Sequence, residues 1–206
     1  MKGISEINND TKAYVGKLES GIFSTLQNQG IEHIYTNFPE GRIRQNRVAI
    51  GGKTPIELQQ DLRSKEFNVT IDAKDMIENP DFITQENTEN IDLVYLKVAD
   101  LGLTGIVRTD EIYERAKQLG LDLCPSEVGP QMRLDYVDQP AKEYLYIGTQ
   151  QIVASDGNSR VFQLSRDGEE LWLDGHWAHP ERQWNPDGQF VFRLSPPADI
   201  SEALAA

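Results

Sequence analysis

Glu127, Gln131 and Arg133 stand within seven residues of one another, and Asp138 follows five residues later. All four lie in residues 120–140, GLDLCPSEVGPQMRLDYVDQP, a segment that sets ionic and amide side chains between proline-punctuated turns. An arginine guanidinium grips a carboxylate or phosphate through a bidentate fork, and a glutamate beside it can serve as general acid or base. Cys124-Pro125 reads as the end of a strand and Gly129-Pro130 as a forced change of direction, so Ser126, Glu127 and Val128 are expected on a stiff turn. Beyond it, Gln131, Arg133 and Asp135 alternate with Met132, Leu134 and Tyr136, which predicts three polar groups on one face and three apolar groups on the other. Two arrangements fit. In one, Arg133 pairs with Glu127 or Asp138 and pins the turn. In the other, Glu127, Gln131, Arg133 and Asp138 form a ligand-binding patch that opens outward.

Other residues of chemical type are less complete. His176 and His179 lie in HWAHPE with Glu181, and paired histidines ligate a metal when they share a face. Here they straddle a strand end and a proline, so a capped surface loop also fits. Cys124 needs a base to become a nucleophilic thiolate, and His176 or His179 would have to supply it from across a sheet. Its neighbours Leu123 and Pro125 fit a buried thiol. Residues 51–54, GGKT, mimic the end of a phosphate-binding loop, but the required first glycine falls on Arg47. Trp172, Trp177 and Trp184 group with Phe190 and Phe192 in the sequence, as core packing or as rings on which a base or sugar stacks. The arginines Arg42, Arg44 and Arg47 form a basic turn, read as a solvated edge or a contact site.

Charge narrows the classes of partner. The chain of 206 residues has a net charge of −13. Residues 1–53 hold seven Lys/Arg against five Asp/Glu, and residues 54–206 hold thirteen against twenty-eight. An acidic body repels phosphate backbones, which disfavours nucleic acid. No window approaches the ~18 apolar residues of a membrane span. Residues 1–30 lack the apolar core of a signal peptide, which points to the cytoplasm. A single cysteine excludes an internal disulfide framework, and no cofactor motif is complete.

The elements that must position these groups follow from periodicity and punctuation. Residues 12–29 carry apolar positions at three- and four-residue intervals and stop at Gly30, predicting an amphipathic helix. A short strand is expected over 47–50. Thr54, Pro55 and Glu57 then form a capping box that opens a helix to about Glu66. A shorter helix is expected over 72–79, a polar loop over 85–90 and a strand over 91–98. Thr109 should start a further helix, closed by Gly120. Beyond Tyr144 the period becomes two, with strands expected over 144–153, 160–166, 170–177 and 189–194 and turn residues between them. The result is an α+β class: N-terminal helices and a strand-helix-strand unit, followed by a C-terminal antiparallel β-meander. The division expected is an appendage over 1–45 with a helix and the basic turn, a single domain over 46–197, and a frayed tail over 198–206.

The run LGLDLCPSEVGPQMRLDYVDQP, the preceding TDEIYERAKQ and the closing SDG, LWL and WNPDGQFVF resemble one group of bacterial proteins. These are hypothetical proteins that share a GLELCPAEVGPQLRLQY-type motif followed by DQP. The resemblance spans roughly 50–192, with departures at Asp122, Ser126, Met132 and Asp135. It implies kinship without an activity, cofactor or partner. On the residues alone, the reading is a noncatalytic binding module for a protein partner or small ligand, of which an acidic inhibitor or immunity-type protein is one form. The competing reading is a small hydrolase or transferase acting on a phosphate-bearing or glycosidic substrate, with Glu127 as acid or base and Arg133 holding the anion.

Overall fold

The computed structural model describes residues 44–194. The helix expected over 12–29, Arg42 and the tail over 198–206 lie outside the described residues.

The first helix starts where its capping chemistry places it. α1 (Pro55–Ser64) has Thr54 as N-cap, the Thr54 hydroxyl accepting from Glu57 N and the Glu57 carboxylate accepting from Thr54 N. That reciprocal pairing satisfies two amides that a helix start leaves open. α2 (Ile71–Glu78) begins on Thr70, whose hydroxyl accepts from Ala73 N, and ends at Asn79, before Pro80. α3 (Thr109–Gln118) is amphipathic, with Ile112 and Ala116 inward. Its first backbone amides donate to the carbonyls of Pro180 and Arg182, so a later loop caps it.

The strands assemble into a nine-stranded mixed sheet. β1 (Arg44–Ile50), β3 (Glu89–Lys97), β6 (Tyr144–Ile147), β8 (Ser159–Asp167), β9 (Glu170–Trp177) and β11 (Gln189–Leu194) carry most of it, in the order β1-β3-β11-β6-β8-β9, with β2 (Asn68–Val69) beyond β9. β5 (Leu121–Asp122) pairs with β11 and β7 (Ile152–Val153) with β8. β4 (Val107–Arg108) and β10 (Gln183–Trp184) form a separate ladder. The α+β mixture is as expected. The simple C-terminal meander is not: β11 leaves β9, crosses one face of the sheet and inserts between β3 and β6, parallel to β6 and antiparallel to β3. The reason lies in its FVF run. Val191 packs on one side of the sheet and Phe190 and Phe192 on the other, all fully buried, so this strand can only be satisfied at the centre. The strand-helix-strand order is present as β3, α3 and β5, with β5 paired antiparallel to β11. The strand expected over 144–153 is two strands, β6 and β7.

Apolar residues collect on both sides. One side packs α1, α2 and the helix α4 (Val128–Asp135) against the sheet through Leu58, Met76, Met132, Leu145, Phe162 and Leu173. The other packs α3 and the 178–188 loop through Ile112, Trp184, Phe190 and Phe192. Burial of each large side chain contributes roughly 1.5–3 kcal/mol. α3 and the loop cover β3 and β11, and leave much of β6, β8 and β9 open on that side.

Candidate functional site

The central motif forms a buried helix rather than an alternating strand, and this corrects the expected geometry. Gly129 and Pro130 lie in the first turn of α4, where a proline's missing N–H costs no helical bond. Helical spacing rotates Gln131 and Arg133 about 200° apart instead of aligning them. Every residue of 128–134 is buried. α4 lies against β8 so closely that a Cβ on Gly129 would fall 2.6 Å from Phe162.

Glu127 precedes the helix and is fully buried. One carboxylate oxygen accepts from Gly51 N and the other from Gln85 N, each at 2.9 Å. Ser126 holds the same loop, its hydroxyl donating to Ile83 O and accepting from Ile83 N. The Ser-Glu pair thus fastens the 83–85 loop and the Gly51-Gly52 turn to the start of α4. Gly51 has φ +80°, and a Cβ there would meet Asn87 O at 2.1 Å, so the turn admits only glycine.

Arg133 points elsewhere. It is also fully buried and donates to Gln139 Oε1 at 2.6 Å, to the carbonyls of Trp172 and Ser165, and to Tyr136 O, while its guanidinium lies 5.5 Å from the Phe67 ring centre. Burial lowers its pKa to about 10, opposed by the nearby Tyr136 and Glu143, so it stays charged at neutral pH. Gln139 completes this internal knot by donating to Leu164 O and Glu143 O. Asp138 is exposed, whereas Gln131 is buried in α4. The four residues expected to form one outward patch are therefore divided, three inside on different sides and one at the surface. The expected Arg133 pairing with Glu127 or Asp138 gives way to Arg133 with Gln139 and backbone carbonyls.

The remaining expected groups also separate. Cys124 is buried on the α4 side, its thiol donating to Val191 O at 3.5 Å, and burial pushes its pKa well up. His176 faces the opposite side of the sheet. Its Nε2 lies 3.0 Å from Arg182 Nη2, and burial together with that cation holds its pKa down at about 4. His179 accepts from Glu181 N instead. Among the described residues no cluster of three His, Cys, Asp or Glu suits a metal. Arg47 forms a surface pair with Asp92 across β1 and β3.

Sequence reasoning missed the surface that does open. In β6, β8 and β9, Leu145, Phe162, Leu164 and Leu173 on the α4 side are sealed, while on the other side Val161 and Gln163 are buried and the residues around them are partly open. Register places Tyr144, Ser165 and Trp172 in one row across the three strands and Tyr146, Gln163 and Asp174 in the next. Directly opposed residues in antiparallel strands project to the same face. Tyr144 is 52% exposed, and Tyr146, Ser165, Trp172 and Asp174 are half-buried. Tyr146 is fixed by Gln163 beneath it and by ring contacts at 4.8 Å to His176 and 4.6 Å to Trp184. Asp174 accepts from the Thr70 hydroxyl at 2.8 Å. A groove of about 410 Å³ adjoins this face, bordered by Lys97, Lys142, Tyr144, Tyr146 and Gln189. The tyrosines at i and i+2 of a period-two strand were the available signal.

No helix among the described residues is long and apolar enough to cross a membrane. No protein-family model matches the chain, and neither does any curated protein or solved structure.

Proposed function

We propose that the protein is a noncatalytic binding module acting in the cytoplasm, and that its recognition surface is the open face of β6, β8 and β9. The observation that carries this reading is the division of labour between polar groups. Glu127 has both oxygens and Arg133 both terminal guanidinium nitrogens directed into internal bonds, whereas Tyr144, Ser165 and Trp172 form a partly open row on a rigid sheet. A general acid must reach the atom it protonates, and a fully buried carboxylate held by two backbone amides lacks that reach. Rigid aromatic side chains on a strand supply contact area at low entropic cost, which suits recognition. The kinship suggested by the central motif is part of this reading, and its SEVGPQMR run then serves to hold the scaffold. The acidic body also supports a form of the module that engages a basic protein.

The test compares the protein with Glu127→Gln and Arg133→Ala against nucleotides, sugar phosphates and aryl glycosides. The expected result is no turnover above the blank and a lowered melting temperature in both variants. Turnover by the unaltered protein that both substitutions abolish at unchanged melting temperature would replace this reading with the hydrolase or transferase one.

A further inference from the structure

We infer that the open face of β6, β8 and β9 takes a neutral saccharide chain, an inference that rests on the binding-module reading above. Tyr144 and Trp172 occupy one row, separated by Ser165 on the strand between them. Two strand spacings put their backbones roughly 10 Å apart, which suits the first and third rings of a short oligosaccharide. Sugars present apolar C–H faces that pack on aromatic rings and hydroxyls at their rims that both donate and accept. The second row supplies those partners. Tyr146 offers a phenol, backed by the buried Gln163, and Asp174 a carboxylate whose other partner is Thr70. Each is held by a neighbour or by the sheet, so little side-chain freedom is lost on binding.

Charge decides among ligands of similar shape. The protein carries −13 overall, which opposes a nucleic acid or polyanionic glycan. A basic protein partner would need a concentration of carboxylates, and these two rows hold one, Asp174, with Asp167 and Glu170 lying beyond them at the β8-β9 turn. Lys97 and Lys142 border the adjoining groove, Lys97 paired with Asp187 at 2.9 Å, while Arg182 is turned onto His176 and lies 4.9 Å from the Trp184 ring centre. The groove beside Tyr144 and Tyr146 continues the face past the edge of β6, giving the chain a place to extend.

The protein is titrated with neutral oligosaccharides of α- and β-linked glucose, N-acetylglucosamine and galactose, and read by tryptophan fluorescence and by saturation-transfer NMR. Binding by at least one chain is expected, with affinity rising from the monosaccharide to the longer oligomer. Tyr144→Ala and Trp172→Ala each lower that affinity about tenfold. Tyr144 is more than half exposed, so its variant keeps its melting temperature, whereas Val137→Ala, at an exposed position off this face, leaves affinity unchanged. Absence of binding by every neutral chain at millimolar concentration overturns the inference, as does binding indifferent to both ring substitutions. Either result leaves the turnover assay free to decide the binding-module reading separately. Preference for a sulfated or phosphorylated chain, or for a basic peptide competing at Tyr144, also overturns the saccharide assignment.

Discussion

Replacing Glu127 by glutamine keeps the shape of the side chain and removes its charge, so it isolates what the carboxylate does. Two backbone amides, Gly51 N and Gln85 N, donate to separate oxygens at 2.9 Å. Glutamine retains one oxygen and turns the other position into an NH₂, which faces an N–H and cannot accept from it. A hydrogen bond to a charged group contributes about 1.5–3 kcal/mol, and its loss here leaves a buried donor without a partner. The surviving bond falls to the neutral range of about 0.5–1.5 kcal/mol. The sum is a loss of roughly 2–4 kcal/mol, a large part of the ~5–15 kcal/mol that holds a domain of this size together. With about 2–4 °C of melting temperature per kcal/mol for a unit of this length, the midpoint should fall by about 5–15 °C. Circular dichroism melts and urea titration at pH 7 read the change, and the urea slope should stay constant because the surface exposed on unfolding is the same. A midpoint within about 2 °C of the unaltered protein would refute the claim that Glu127 fastens the 83–85 loop. It would restore Glu127 as a group free to meet a ligand.

Four further outcomes follow from the same geometry. Arg133→Ala removes the donor to Gln139 Oε1 and to the carbonyls of Trp172 and Ser165, and should cost about 3–5 kcal/mol by urea denaturation. His176 should titrate by NMR with a midpoint near 4, moving up toward its ordinary value in Arg182→Gln. Because its folded pKa is lowered, the unfolded chain takes up this proton first; stability should fall as pH drops from about 6.5 toward 4, then level off, a trend weakened in Arg182→Gln. Cys124 should ignore an aromatic disulfide reagent in the native state and react only at the rate of opening, since burial keeps the thiol protonated and covered. Gly129→Ala sets a methyl 2.6 Å from Phe162 and should destabilise by about 1–3 kcal/mol, read by urea denaturation.

What the chain disclosed before folding depended on whether a signal was local. Thr54, Pro55 and Glu57 announce α1 because all parts of a capping box lie within four residues, and β9 and β11 begin and end at the residues expected. The place of β11 in the sheet was not local. Its FVF run belonged to a strand covered on both faces, and only the fully buried Val191, Phe190 and Phe192 show which neighbours it required. The central motif misled for a related reason. An alternation of Gln131, Arg133 and Asp135 with apolar residues fits a strand when one face meets water, but α4 meets water on almost none of its surface. Where every side of a helix is covered, the polar residues no longer mark the outside; they sit wherever backbone amides and carbonyls need partners. Glu127 and Arg133 are that case, joining two loops and two strands that share little sequence proximity. A dense run of ionic and amide residues between prolines can thus be the internal fastening of a fold, and the exposed recognition chemistry is then sought in a plainer stretch such as Tyr144-Leu145-Tyr146. There Leu145 is fully buried and Tyr144 is turned to solvent, so the period-two pattern that builds the strand also exposes its rings.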